Sequence, residues 1–321
     1  MSDNEKKNLS PSEVKLINNA IEIRSQDVFE RDELGFVTRM FVQCCLPHRD
    51  PGDVPAWIRA NGNLCLTITP VRYVKHGIIV NSGYPYGNIP RLLLLYICSQ
   101  VVQTKSKEIS LDKSLSAFIQ KLGLDVTGGE NGTINRVKDQ LKRLVTANID
   151  FTYNETIEGN ELFIFKKAII ASQMRLWGEK DPNNNIIAFD RPQIPKDSCL
   201  VLTEEFYNEI MSYAIPIDMG IISAIKQSPL ALDLYSWLTY RIASVYKPTR
   251  ISWKSLSLQI GSEYTEIRNF RQSAKEALLK IFSLWPELKV DVVKGGIVLK
   301  PSKTSVPQKV FAFTDSKNNT Q

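Results

Sequence analysis

Residues 133–165 read TINRVKDQLKRLVTANIDFTYNETIEGNELFIF, and two periodicities follow one another within them. Ile134, Val137, Leu141, Leu144 and Val145 share one face of a helix. From Ile149 the period becomes two. Ile149, Phe151 and Tyr153 alternate with polar residues, and Leu162 to Phe165 is a second strand-like run. Glu158-Gly159-Asn160 lies between the two runs, so they read as a β-hairpin. Working toward the N-terminus, Asp125 to Gly132 has loop composition. Leu115, Phe118, Ile119 and Leu122 mark a second helix, ended by Gly123. Glu108 to Leu111 is a short strand after a polar turn. The run LLLLYICSQVV, Leu92 to Val102, is apolar almost all round, as in a buried helix, and Pro90 suits its first turn. The order is helix, strand, helix, helix, hairpin, which is that of a winged helix-turn-helix.

The same order recurs downstream. Ser228-Pro229 opens an apolar helix to about Val245, and Arg250 to Trp253 is a strand. Ser255 to Ile260 is a short apolar element that fits a helix and a strand equally well. Ile267, Phe270, Ala274, Ala277, Leu278 and Ile281 form one helix face, and Leu288–Val293 with Ile297–Leu299 form a hairpin. Ile109 aligns with Ile251, and Ile134, Val137 and Val145 align with Ile267, Phe270 and Leu278. The difference in spacing falls in the glycine-rich loop of the first copy. The expected fold is α+β, with two tandem winged-helix domains over 13–175 and 220–303. The first domain carries an extra helix (Ser10 to about Arg24, with Val14, Ile17, Ala20 and Ile21) and a β region (Leu64–Thr69, Gly77–Val80). An acidic connecting segment is expected over 176–219, with a surface loop at 181–185. Flexible tails are expected at 1–12 and 304–321.

Charge is distributed unevenly. The net charge is zero over 1–84, +3 over 85–175, −5 over 176–219 and +8 over 220–321. Concentrated positive charge attracts a polyanion at long range, so nucleic acid is the leading partner class. On the 134–145 helix, Asn135, Arg136, Asp139, Arg143 and Thr146 are expected to face outward, with Lys138 and Lys142 on the flank. On the 267–281 helix, Thr265, Arg268, Asn269, Gln272 and Glu276 take that position, flanked by Arg271 and Lys275. Arg pairs with guanine, and Asn or Gln with adenine, in the major groove. Asn135, Arg136, Arg143, Arg268, Asn269 and Gln272 are therefore the candidate base contacts. Lys138, Lys142, Arg271 and Lys275 are candidate phosphate contacts, with Lys166, Lys167 and Lys294 on the hairpins. The bland alternative is an ordinary solvated helix face, and edge-strand lysines also serve against aggregation. Tyr96, Phe118, Tyr235, Trp237, Tyr240 and Trp253 fall on apolar faces and read as core.

Several other chemistries find little support. Gly128-Gly129-Glu-Asn-Gly132 lacks the lysine of a phosphate loop. The two histidines, His48 and His76, are too far apart in sequence to form the close pair of a rolling-circle nickase. Cys44, Cys45, His48, Cys65 and His76 do not have zinc-module spacing. The five cysteines, odd in number and irregularly placed, suggest reduced thiols. No apolar run is long enough to span a bilayer, and the polar N-terminus lacks the apolar core of a signal peptide. The expectation is a cytoplasmic, non-enzymatic DNA-binding protein without cofactor or metal.

Tyr86-Gly-Asn-Ile-Pro-Arg-Leu-Leu-Leu-Leu-Tyr96, Gln103-Thr-Lys-Ser-Lys-Glu-Ile-Ser110, Ser114-Leu-Ser-Ala-Phe118, Leu122-Gly-Leu124, Thr127-Gly-Gly129 and Asp139-Gln-Leu-Lys-Arg-Leu144 resemble the plasmid-encoded RepA replication protein family. Within it they resemble the initiators of IncW-type broad-host-range plasmids, over roughly residues 35–300. The resemblance implies binding of repeated origin sequences (iterons) in double-stranded plasmid DNA, local duplex opening, and recruitment of the host replicative helicase and host initiator protein. It also implies repression of the protein's own promoter, with a homodimer as a further partner state. One departure is Ser99-Gln100-Val101, where the family typically carries an acidic residue and alanine. Three rivals stay open: a transcriptional repressor without a replication role, a metal-dependent nuclease or hydrolase using Cys44, Cys45, His48 and His76, and a scaffold whose basic surface binds acidic proteins. The role of residues 10–84 is also open, either as an extension of the first domain or as a dimer interface.

Overall fold

A capping box between Ser10 and Glu13, with Pro11 in the first turn, starts α1 (Pro11–Ser25). This is the first element of the computed structural model, which describes residues 9–176, 198–260 and 263–307. The expected loop at 181–185 and the outer parts of both tails lie outside the described residues. β1 (Leu34–Thr38) runs into the short helix α2 (Arg39–Gln43). β2 (Trp57–Asn61) pairs with β3 (Leu64–Thr69). β4 (Arg72–Lys75) pairs with β5 (Ile78–Asn81) across His76-Gly77, both at positive φ. Then follow α3 (Asn88–Thr104), β6 (Glu108–Ser110), α4 (Leu115–Lys121), α5 (Thr133–Thr146), β7 (Asn148–Ile157) and β8 (Asn160–Lys167), in the order read from the sequence. β9 (Ala171–Arg175), β10 (Cys199–Leu202), α6 (Glu204–Tyr213), β11 (Ala214–Asp218) and α7 (Met219–Ile225) come next. The chain continues through α8 (Pro229–Ile242), β12 (Thr249–Ser252), α9 (Trp253–Gln259), α10 (Ile267–Leu284), β13 (Val290–Val293) and β14 (Gly296–Leu299). The fold is α+β.

The pairing partners differ from the sequence-based expectation in the first half. β7 and β8 do form the expected hairpin, closed by Glu158-Gly159 at positive φ. However, β7 pairs on its other side with β3, giving the sheet order β2-β3-β7-β8. Leu66 and Ile68 of β3 are buried with Ile149 and Phe151 of β7 on one sheet face. β6 pairs instead with β10, which pairs with β9, giving the order β6-β10-β9. In the second half the order is β12-β14-β13. The two three-stranded sheets thus share one topology, with β9 and β10 standing where β13 and β14 stand. Alternation locates a strand but does not choose its partner, and the hairpin at 148–167 is an insertion into the duplicated pattern.

Residues 176–219 are correspondingly not a mere connection. Their described part, 198–219, contains β10, α6 and β11. β11 pairs along its whole length with β1. Residues 304–306 are also packed, since Val306 is buried and the Tyr235 hydroxyl donates to Ser305 Oγ at 3.0 Å. α1 was expected with the first domain, yet it packs on α7 and the C-terminal end of α10, where Arg24 donates to the Ser283 carbonyl. Leu16, Ala20 and Ile23 face the protein, while Val14, Ile17 and Ile21 are exposed. The spacing therefore identified the helix but not its buried side.

Residues 31–60 tie the two halves together. The Arg31 guanidinium meets Asp218 at 2.7 Å, and Arg59 donates to the Ser257 carbonyl at 2.8 Å. Ser99, one of the departures from the RepA pattern, accepts from the Phe36 amide at 2.9 Å and donates to the Leu95 carbonyl at 2.7 Å. It therefore anchors β1 on α3. Beneath the clasp lies a single apolar core. Leu93 of α3, Leu141 of α5, Leu234 of α8 and Leu278 of α10 all belong to it and are fully buried. Each such side chain contributes about 1.5–3 kcal/mol by leaving water.

The polar centre of this core is Arg91 with Asp233. Nε and Nη2 of Arg91 bond both carboxylate oxygens at 2.7 and 2.6 Å. The same guanidinium donates to the carbonyls of Leu46, Pro47 and Gly87, and His48 Nε2 lies 2.7 Å from Asp233 Oδ2. Arg91 and Asp233 are 142 residues apart, the same spacing that relates Ile109 to Ile251. They therefore occupy equivalent positions on the first helices of the two halves, and the halves meet where those helices cross.

Candidate nucleic-acid interface

α5 and α10 are the two amphipathic helices singled out by the sequence. Both follow a short helix, α4 or α9, whose N-cap serine accepts from a backbone amide of its first turn. Their inward faces are as expected: Val137, Leu141, Phe270, Ala274 and Leu278 are fully buried. Ile267 is the exception. It is 47% exposed, within a run from Thr265 to Asn269 in which every residue is exposed.

The outward faces differ. On α10, Arg268, Asn269, Arg271, Gln272, Lys275 and Glu276 are all exposed. Gln272 and Glu276 share a hydrogen bond of 3.2 Å one turn apart, and the neighbouring cations are oriented to solvent. Lys294 is exposed at the turn between β13 and β14. Arg268, Arg271 and Lys275 form one positively charged face of α10.

On α5 only the N-terminal half is open. Asn135, Arg136 and Asp139 are exposed, and Asn135 Nδ2 donates to the Gly129 carbonyl at 2.9 Å. Lys138 is half-buried. Further along, the N-terminal region covers the helix. Lys142 Nζ donates to the Tyr73 hydroxyl at 2.8 Å and sits 4.3 Å from the ring centroid. Arg143 does not point outward as its helical position suggested. It is held by Asp139 at 2.8 Å and Asp50 at 3.4 Å, against the Tyr86 ring. Its side chain is 20% exposed. The 100° rule orients the Cα–Cβ bond, but here partners from residues 50–86 fill the space outside it.

Lys166 and Lys167 lie on β8, in the sheet that includes β2, β3 and β7, not in the β6-β10-β9 sheet. Lys166 pairs with the buried Glu209 of α6. Lys167 is exposed. Glu209 carried no sequence signal as a lysine partner, because 43 residues separate the two.

The residues of the metal-hydrolase rival are placed differently. Burial raises the Cys44 thiol to about 12 and Cys45 well above its ordinary value, so both are held protonated. His48 is engaged by Asp233, and His76 sits in the β4–β5 turn. Among the described residues, no three His, Cys, Asp or Glu side chains gather in a metal-binding group. No described helix is long and apolar enough to cross a membrane. Of the aromatics read as core, Phe118, Tyr235, Trp237 and Trp253 are buried, and Tyr96 and Tyr240 are half-buried.

Residues 84–254 match the family described as plasmid encoded RepA protein, which is more than half of the chain. The chain belongs to the plasmid-encoded RepA family. It is thus a RepA-type plasmid replication protein, and membership implies origin DNA binding during replication initiation. No curated protein and no solved structure matches the chain. The family match takes in α3, α5, α8 and the Arg91–Asp233 pair, and it ends before α10.

Proposed function

We propose that this RepA is an iteron-binding initiator of the IncW type, built as two winged-helix modules with α5 and α10 as recognition helices. Each module presents its helix to one of two successive major-groove faces, roughly 10 base pairs apart. The observation that carries the reading is the repetition of one sheet order, β6-β10-β9 and β12-β14-β13, each beside an amphipathic helix with exposed Arg and Asn at its N-terminal end. That end is the part of a recognition helix that reaches base edges. Arg136, Arg268, Asn269 and Gln272 have the chemistry for base contacts. Arg271, Lys275 and Lys294 suit phosphates. The protein acts by binding, without catalysis or cofactor. It promotes origin opening, recruits the host helicase and host initiator, and represses its own promoter.

Footprinting on the DNA flanking its gene is the direct test. Regularly repeated protection is expected, and each repeat should be long enough for two adjacent major-groove contacts. Protection of a single promoter site, in a replicon that persists when the gene is deleted, would favour a repressor without a replication role.

The homodimer finds support in β8. This strand ends its sheet, and Phe163 and Phe165 are 63% and 56% exposed. A two-residue hairpin turn leaves the backbone groups of Glu161, Phe163, Phe165 and Lys167 pointing away from β7. A second copy added antiparallel about Ile164 sets Glu161 opposite the partner's Lys167 and Phe163 opposite the partner's Phe165. Phe163→Lys should therefore shift the protein to monomer in sedimentation velocity, with its circular dichroism spectrum unchanged and its unfolding midpoint lowered only by the lost association. An unchanged sedimentation coefficient would remove β8 from the interface.

A further inference from the structure

Among the described residues, the β4–β5 hairpin pairs with no other strand. An isolated two-stranded ladder is marginal in water, and this one is held against α5. Lys142 bonds the Tyr73 hydroxyl, and Asn81 Nδ2 bonds Asp53 at 3.1 Å. Tyr73 and its cross-strand partner Val80 are half-buried on that side. The opposite face carries the cross-strand pair Val74 and Ile79, 69% and 73% exposed, with exposed Arg72 beside them. Ile78, next to the turn, is 69% exposed. Single exposed aliphatics are ordinary. Val74 and Ile79 on one face, with Ile78 beside the turn on the Tyr73–Val80 face, form a presented apolar tip.

Charge selects the occupant. No acidic residue occurs between Asp53 and Glu108, a stretch that includes the whole hairpin, Arg72 and Lys75. The tip therefore has an aliphatic centre and no carboxylate in the hairpin itself, with Arg72 at its base next to the Asn81-bound Asp53. A minor groove has the complementary arrangement, with apolar sugar walls and anionic rims, and aliphatic side chains are the usual wedges between its base steps.

We infer that the β4–β5 hairpin is a second DNA-contacting element, which lays Val74, Ile78 and Ile79 into the minor groove flanking the major groove entered by α5. This rests on the duplex-binding reading of α5. It adds a separate groove, an apolar mode of contact, and a device that unstacks base steps where an initiator must open the duplex.

The test uses the full chain on a duplex fragment flanking its gene, mapped by hydroxyl-radical cleavage for the minor groove and by methylation interference at guanine N7 for the major groove. Val74→Ser/Ile78→Ser/Ile79→Ser should lose the minor-groove protection beside the α5 contact and bind about tenfold more weakly. Its guanine N7 interference pattern should be retained. Arg72→Ala leaves every apolar residue in place. It should weaken the same minor-groove protection and keeps the test decisive if the triple variant does not fold. Wild-type affinity and protection in both variants would overturn the hairpin's role and leave the α5 reading intact. A change in sedimentation coefficient with unaltered footprint would assign the tip to contact between copies and overturn it equally. If the wild-type protein gave no guanine N7 interference at all, the duplex-binding reading would fail first and the hairpin with it.

Discussion

Replacing Asp233 with alanine should cost about 3–5 kcal/mol of folding free energy, one of the largest single-residue effects expected in this chain. The substitution strands a guanidinium in the core. Arg91 is 6% exposed, and its bidentate partner is Asp233. The remaining carbonyls of Leu46, Pro47 and Gly87 satisfy donors but do not neutralise the charge. Arg91→Ala should be as severe, because it leaves a buried carboxylate with only His48. Replacing both with apolar residues of similar volume, Arg91→Met with Asp233→Leu, should recover much of the loss, since the desolvation cost of both charges disappears as well. Urea unfolding of the two single variants and the double variant measures the coupling. The pH dependence has a definite sign. Burial alone would raise the Asp233 carboxyl, but the Arg91 charge and the hydrogen bonds from His48 and Arg91 outweigh it and hold it below its ordinary value. A depressed folded-state value gives stability that is present above the unfolded value of about 3.9 and is lost as pH falls through the folded one. Wild type should therefore lose this contribution only in strong acid, and the double variant should lack that acid limb. A loss below about 1 kcal/mol in the single variants would show that the pair is not the junction of the two halves.

The sequence displayed α1, α3, α4, α5, α8 and α10 of this RepA and their order, because a period of 3.6 survives where one face is buried, while α2, α6 and α7 were not read from it. Val137 and Leu141 match Phe270 and Ala274 in full burial, and the duplication was visible through them. Strand identity was legible for the same reason at Leu66, Ile68, Ile149 and Phe151. Strand partnership was not. Nothing local to β7 distinguishes pairing with β3 from pairing with β6, and β9 borders, and β10 lies within, the stretch whose acidic composition marked it as a connection. Across the candidate interface, α10 was legible because its outer face is exposed among the described residues. α5 was misread at Arg143 because residues 50–86, distant in sequence, fold over its C-terminal half. The Arg91–Asp233 junction lay in the sequence as two charges inside apolar helices. A buried charge needs a partner, and the duplication spacing of 142 relates the two residues.

Binding to the gene-flanking fragment should weaken by about 10³–10⁵-fold between 50 and 200 mM salt if six to ten phosphates are neutralised. The structure divides the basic residues into those able to contribute and those already engaged. Arg268, Arg271 and Lys275 are exposed together on α10, Lys294 is exposed at the β13–β14 turn, and Arg136 is exposed at the open end of α5. Arg271→Ala should lower the slope of log affinity against log salt by about one, uniformly across sequences. Arg268→Ala should cost about 1–3 kcal/mol and relax the preference at one base position. Arg143 and Lys166 serve as internal controls, since both are basic and both were candidates from the sequence. Arg143 is clasped by Asp50, Asp139 and the Tyr86 ring, so Arg143→Ala should lower folding stability by about 1–3 kcal/mol and leave base preference unchanged. Lys166 is paired with buried Glu209, so its removal should not alter the salt slope. Mobility-shift titrations at four salt concentrations, with each variant's unfolding curve measured alongside, separate the two classes. The assignment of α10 as the principal DNA-contacting helix fails if Arg268→Ala and Arg271→Ala bind with the wild-type slope and affinity while Arg143→Ala alone changes sequence preference.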